Sequence, residues 1–247
     1  MNKVAIVTGG ARGIGRGCAH ALAEKGLDIA IVDLLPAEAE RTIGELTAMG
    51  RVARFYEADV ADHARARAVV QQIAADFGRI DVLVNNAGRG NPKGILEITE
   101  EEFDRTIDVN LKSCFNFIQP AVPVMRATGG GRIVSMSSLN AHSGGVTAAV
   151  SKFSYAAAKA GIIGLTRALA KELGPDIAIN CVCPGVIETE LGNTLTKARG
   201  PELMTGIALG RLGTPKDVAG LVAFLATVEP NFITGQDFII DGFQFKV

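Results

Sequence analysis

Short apolar runs rich in valine and isoleucine recur along the chain, and longer stretches with apolar residues three and four apart separate them. Residues 4–8, 29–33, 53–57, 82–85, 132–137, 178–183 and 237–240 have the length and the β-branched or aromatic content of strands. Helical periodicity covers 13–25, 36–49, 62–77, 100–125, 153–173 and 215–226. Strands separated by helices pair in parallel, because a parallel neighbour needs a crossover connection. The alternation therefore predicts an α/β fold: a doubly wound, seven-stranded parallel sheet with helices on both faces. Strand patterns bracket the whole length and no Pro- or Ser-rich linker interrupts them, so 1–247 reads as one domain.

Two departures from this rhythm are informative. Pro120 and Pro123 fall late in the fourth helical pattern, where the missing N–H and the ring clash should kink or end it. Residues 189–214 are dotted with glycine, with only a short helical piece at 201–208. A connection of that length in a compact domain is usually a lid or a binding loop, here one for substrate.

Composition narrows the function. Glycine supplies 29 of 247 residues, well above the usual ~7%. There is no Gly-X-Y period, and 48% of residues are hydrophobic, which excludes collagen-like and disordered chains. The glycines must then serve tight turns or close approaches. Lys+Arg (25) and Asp+Glu (26) nearly cancel, and no basic stripe or polybasic run points to nucleic acid or to a membrane surface. The early apolar run 4–7 is too short for a signal sequence or a span. Cys18, Cys114, Cys181 and Cys183 then read as reduced thiols of a cytoplasmic protein. The Cys181-x-Cys183 pair has too few further ligands near it in sequence for a metal site, and no metal is expected.

The first strand runs into Thr8-Gly9-Gly10-Ala11-Arg12-Gly13-Ile14-Gly15 and then a helix. Gly9, Gly13 and Gly15 allow a tight turn and bring a helix N-terminus, with its free N–H groups, against an anion. Asp33 ends the next strand about twenty residues later. This is the setting of a dinucleotide-binding turn. The Asp33 carboxylate would accept from the adenosine ribose hydroxyls and repel a 2′-phosphate, whereas Arg12 beside it could pair with that phosphate. The carboxylate should dominate, and the cofactor expected is NAD in preference to NADP.

One of the two tyrosines stands in Tyr155-Ala156-Ala157-Ala158-Lys159. The i, i+4 spacing puts phenol and ammonium on one helix face. At ~6 Å and an effective dielectric near 20 the ammonium stabilises a phenolate by ~2–3 kcal/mol, which lowers a tyrosine pKa of ~10 by about two. The preceding strand ends in Ser137-Ser138, and an earlier one runs into Asn85-Asn86-Ala87-Gly88. Both ends fall where ligands bind in doubly wound sheets. Asn110 sits inside the fourth helical pattern, as a satisfied polar residue or a member of a relay. Among the histidines, His20 and His63 read as surface or packing residues, and His142 as a substrate contact.

Together these motifs resemble the short-chain dehydrogenase/reductase family in its compact, one-domain Rossmann form. The resemblance spans nearly the whole chain, from Gly9, Gly13 and Gly15 through Asn110, Ser138, Tyr155 and Lys159 to Pro184-Gly185. It implies Tyr155 as proton donor or acceptor at the substrate oxygen, Ser138 as the residue that holds that oxygen, and Lys159 as the group that lowers the tyrosine pKa and binds the nicotinamide ribose. Asn110 would anchor a water between Lys159 and solvent. Pro184, Gly185, Ile187 and Thr189 match the segment at the nicotinamide end, Asp59 and Val60 the adenine side, and Asn86, Ala87 and Gly88 the cofactor loop. Arg12 and Ile14 belong to the phosphate turn. A homotetramer is also implied.

Sixteen residues separate Ser138 from Tyr155, longer than is usual in that family, so the pocket wall is altered. The substrate expected is a small secondary alcohol such as a polyol or hydroxy acid. The alternative is the 3-oxoacyl group of an acyl carrier protein. The segment 127–131 lacks the basic cluster that would dock an acidic carrier, and Asp33 fits poorly with NADPH. A catalytically silent nucleotide-binding module is disfavoured because Tyr155 and Lys159 are both present.

Overall fold

The computed structural model describes residues 2–145, 151–190, 202 and 204–244. Seven parallel strands form one sheet in the order β3-β2-β1-β4-β5-β6-β7. They are β1 (Val4–Thr8), β2 (Asp28–Asp33), β3 (Ala53–Glu57), β4 (Val82–Asn85), β5 (Gly131–Met136), β6 (Ile177–Pro184) and β7 (Asp237–Ile240). The winding reverses between β1 and β4, and the crevice at that switch point is where such sheets bind ligands.

The strand sequences explain the layers. Every residue of β1 is buried, and its side chains alternate between two cores. Val4 and Ile6 face one side with Ile73, Phe117 and Ile162, and Ala5 and Val7 face the other with Cys18, Leu22 and Val222. The first core is covered by α3 (His63–Phe77), α5 (Ser113–Ala127) and α7 (Phe153–Leu173), the second by α1 (Gly13–Glu24), α2 (Pro36–Ala48) and α8 (Pro215–Thr227). Local signals set the helix ends. Asp62 caps α3 through Arg65 N at 2.9 Å, and Thr214 with Asp217 forms a capping box on α8.

The long helical pattern 100–125 proves to be three pieces. Helix α4 (Glu100–Ile107) passes through a π-helical turn, Asp108–Lys112, into α5. Helix α5 does not end at Pro120 or Pro123. Pro123 is exposed and Pro120 half-buried, and the buried row Phe117, Ala121 and Met125 holds the helix to the core despite two missing bonds. A four-residue helix, α6 (Asn140–Ser143), follows β5 where no periodicity announced one. Of the proposed substrate loop 189–214, positions 191–201 and 203 lie outside the described residues, as do 146–150. Its two ends are joined by Glu188 N to Gly213 O at 2.8 Å and Gly213 N to Val186 O at 3.1 Å.

Candidate active site

The carboxyl ends of β1, β2, β4, β5 and β6 open onto a cleft of about 480 Å³. It is lined by Gly9, Arg12, Gly13, Ile14, Asp33, Asp59, Val60, Asn86, Ala87, Gly88, Ser138, Tyr155, Lys159, Pro184, Gly185, Ile187 and Thr189. Gly15 and Asn110 stand behind that lining and shape it.

The turn after β1 is held from two sides. Asn86 Nδ2 donates to the carbonyls of Thr8 (3.0 Å) and Gly9 (3.1 Å), and Thr8 Oγ1 accepts from the N–H groups of Asn86 (3.0 Å) and Ala87 (3.1 Å). A Cβ on Gly15 would overlap the Gly9 carbonyl, so only glycine lets α1 start this close to the turn. At that N-terminus, Gly13 N–H donates to Glu190 Oε2 at 3.1 Å, with Arg16 Nη1 3.9 Å from the other oxygen. A carboxylate thus occupies the place where the helix end favours an anion, and the donors fit a pyrophosphate.

Asp33 sits at the end of β2 with Oδ2 accepting from Ala11 N (3.0 Å) and Oδ1 from Leu34 N (2.7 Å). These two bonds fix the carboxylate at the cleft wall beside Arg12. Farther along, Asp59 accepts from Arg105 Nη2 at 2.8 Å, and Val60 O accepts from Asn116 Nδ2 at 2.9 Å.

At the other end stand Ser138, Tyr155 and Lys159. Ser137 is committed elsewhere: its buried hydroxyl donates to Lys159 O at 2.7 Å. Ser138 is half-buried; its oxygen accepts from Asn140 N at 3.2 Å, and its hydroxyl meets the Tyr155 phenol at the cleft. The Lys159 side chain is buried at 2% exposure, donates to Met136 O at 2.7 Å, and lies 5.5 Å from the Tyr155 ring centre.

Burial reverses one expectation about this pair. It pushes Lys159 down from 10.5 to about 8, and it raises Tyr155 above its ordinary value, with the Ser138 hydroxyl pulling the other way. Tyr155 therefore rests as a neutral phenol, and the net lowering expected from Lys159 is not present.

The π-helical turn places Asn110. Its Nδ2 donates to Arg89 O (2.8 Å) and Thr106 O (2.9 Å), and its Oδ1 accepts from Arg89 N (3.0 Å). The side chain is thus a clamp on the loop after β4. Gly88 lies in that loop, where a Cβ would stand 2.9 Å from Asn110 Oδ1 and 3.4 Å from Lys159 Nζ.

His142 does not line the cleft. Its Nε2 is 3.1 Å from Asp237 Oδ2, at the far edge of the sheet. His20 pairs with Glu45 (2.9 Å) and His63 with Asn116 (3.1 Å). All four thiols are free and buried, and burial pushes Cys18 up to about 12. Glu190 and Thr8 were not anticipated from sequence. Thr8 had a signal, as the last polar residue of β1, but Glu190 meets Gly13 across 177 positions with none. Among the described residues no helix is long and apolar enough to cross a membrane.

A dinucleotide cleft in a doubly wound sheet, with a phenol, a hydroxyl and an ammonium at one end, defines an oxidoreductase of secondary alcohols and ketones. The sequence profile described as "Enoyl-(Acyl carrier protein) reductase" matches residues 9–242. The chain is 39% identical over 244 residues to 3-oxoacyl-(acyl-carrier-protein) reductase FabG of Staphylococcus aureus, covering 98% of each chain. It is 38% identical to the protein of that name from Chlamydia muridarum, covering 98% of this chain and 97% of the other. A Brucella melitensis crystal structure described as short-chain dehydrogenase/reductase SDR:glucose/ribitol dehydrogenase superposes with a TM-score of 0.91 at 31% identity, over 100% of this chain and 98% of that one. The chain belongs to the short-chain dehydrogenase/reductase family and acts on a CH–OH or ketone carbon with a nicotinamide cofactor.

Proposed function

We propose that the protein reduces a 3-oxoacyl thioester to the 3-hydroxyacyl product, with NADH preferred over NADPH. The observation that carries the substrate reading is full-length similarity to FabG reductases, which favours this alternative over a polyol or hydroxy acid. When bound, the cofactor supplies hydride at the nicotinamide ring. The chain's own residues do the rest. Ser138 turns its O–H to the ketone oxygen and Tyr155 delivers the proton to it, so two hydroxyls meet the negative charge that develops there. Lys159 stands to hold the nicotinamide ribose. Asn110 keeps the loop after β4 closed over Lys159, and a relay water anchored beside it would link Lys159 to solvent.

Cofactor choice rests on Asp33. Its carboxylate, fixed by two backbone N–H groups, suits ribose hydroxyls and opposes a 2′-phosphate. A homotetramer through α5 and α7 belongs to the same reading: Phe115 on α5 is 43% exposed, while Gly161 on α7 meets Leu111 of its own chain.

The test is turnover of acetoacetyl-CoA, a simple 3-oxoacyl thioester, with NADH and with NADPH, against NAD-linked oxidation of a polyol and hydroxy-acid panel. The proposal expects the thioester to have the higher kcat/KM and NADH to exceed NADPH. A polyol preferred over the thioester would restore the small-alcohol reading. NADPH used equally or better would remove the role given to Asp33.

A further inference from the structure

The far edge of the sheet carries a second cluster that the reductase chemistry does not use. Strand β7 pairs with β6 so that Asp237 lies opposite Cys181, and Cys183 follows two residues along on the same face. Helix α6 lies beyond, and from it His142 reaches across 95 positions to Asp237. The outcome is an imidazole nitrogen, a thiol sulfur and a carboxylate oxygen all within 4.8 Å of one another. Among the described residues it is the one such group of three.

We propose that His142, Cys183 and Asp237 form a binding site for a zinc ion, with water in the fourth position. The donor set selects the metal: sulfur with imidazole favours Zn²⁺ over Mg²⁺ or Ca²⁺, which take oxygen ligands. Tetrahedral donors on zinc stand about 3.5 Å apart. His142 Nε2 and Asp237 Oδ2, 3.1 Å apart, already meet this spacing. The Cys183 sulfur, within 4.8 Å of both, is the donor that must be approached, and the imidazole can shift toward it because its side chain is 25% exposed. That exposure is also the entry path, since Cys183 is fully buried. The surroundings are those of a prepared ligand set. Asp237 Oδ1 accepts from Arg167 Nη2 at 2.7 Å, which orients the carboxylate and leaves Oδ2 turned to His142.

Sequence reading argued against a metal here because Cys181 and Cys183 have no ligands near them along the chain. The fold supplies those ligands, from α6 on one side and β7 on the other. The ion would tie the segment just after Ser138 to the sheet edge through His142, adding to the bond that Leu139 N already donates to Pro184 O at 2.9 Å.

The experiment uses the full chain, dialysed against chelator and titrated with Co²⁺ as a spectroscopic probe and then with Zn²⁺. The proposal expects one Co²⁺ per chain, a thiolate-to-cobalt charge-transfer band, and displacement of that band by Zn²⁺ with a rise in melting temperature. The band should persist in Cys18→Ser and disappear in Cys183→Ser. His142→Asn keeps every cysteine and tests the site if the serine variant does not fold; there the affinity should fall at least ~10-fold. Absence of the band in the parent protein, or its persistence with unchanged affinity in His142→Asn, would overturn the proposal and leave His142–Asp237 a simple ion pair.

Discussion

Burying an ammonium beneath the active site has a stability consequence that can be read as a function of pH. Lys159 is 2% exposed, and burial lowers it from 10.5 to about 8. At about 1.36 kcal/mol for each pH step between those values, the penalty on the charged form is about 3 kcal/mol. Below about pH 8 both folded and unfolded chains carry the proton and the penalty is present in full. Above it the folded chain loses the proton first, so the unfolded state binds more protons and stability rises with pH until the unfolded lysine titrates. Lys159→Met keeps the length and removes the charge. It also leaves Met136 O, now 2.7 Å from the ammonium, without its donor, a pH-independent loss of about 1–3 kcal/mol. The absolute difference between parent and variant at neutral pH is therefore small, but its slope is not. Between about pH 7.5 and about pH 9.5 the parent should gain ~2 kcal/mol on the variant. Urea midpoints with unchanged m-values measure this directly. A difference that stays flat over that range would refute the buried-ammonium reading.

Three further outcomes follow from the same contacts. Gly88→Ala places a Cβ 2.9 Å from Asn110 Oδ1, so thermal unfolding should report a loss of about 1–3 kcal/mol, and turnover should fall as the loop shifts off Lys159. Glu190→Ala removes the carboxylate on Gly13 N–H, a half-buried contact at 3.1 Å. Dinucleotide binding should then tighten several-fold, up to about tenfold, as read by NADH fluorescence titration; weaker binding would mean Glu190 helps hold the ligand. Phe117→Ala empties a fully buried site between the sheet and α5, with an expected loss of about 3–5 kcal/mol by denaturant unfolding.

How much of this was legible in the sequence depends on the range of the interactions concerned. The central strands were readable because a parallel sheet buried on both faces needs near-continuous apolar runs, as in β1 and β4. The edge strands β3 and β7, less buried, were readable from short apolar and aromatic content, and 4–8, 53–57, 82–85 and 237–240 coincide with β1, β3, β4 and β7. The π-helical turn was not readable. It depends on where the Asn110 side chain and the Arg89 backbone meet in space, and an i→i+5 turn leaves no mark on composition. The prolines of α5 do not end the helix for a related reason: local propensity is a weak prior against a buried row such as Phe117, Ala121 and Met125.

The candidate site divides the same way. Gly9, Asp33, Ser138, Tyr155 and Lys159 follow from strand ends and short spacings, and they do meet in one cleft. The Tyr155–Lys159 spacing predicted a shared helix face but carried no information on burial, so the direction of the tyrosine shift was missed. The partners of Cys183 and of Gly13 come from segments remote in the chain, and no local pattern encodes them.

The most direct test of the central claim is Tyr155→Phe, which deletes one hydroxyl from the cleft and keeps the ring. The account predicts loss of acetoacetyl-CoA reduction by at least ~10²-fold, the low end for a general acid, with NADH affinity within about threefold of the parent. Turnover retained at the parental rate, with the fold intact, would contradict Tyr155 as the proton donor and the reaction built on it.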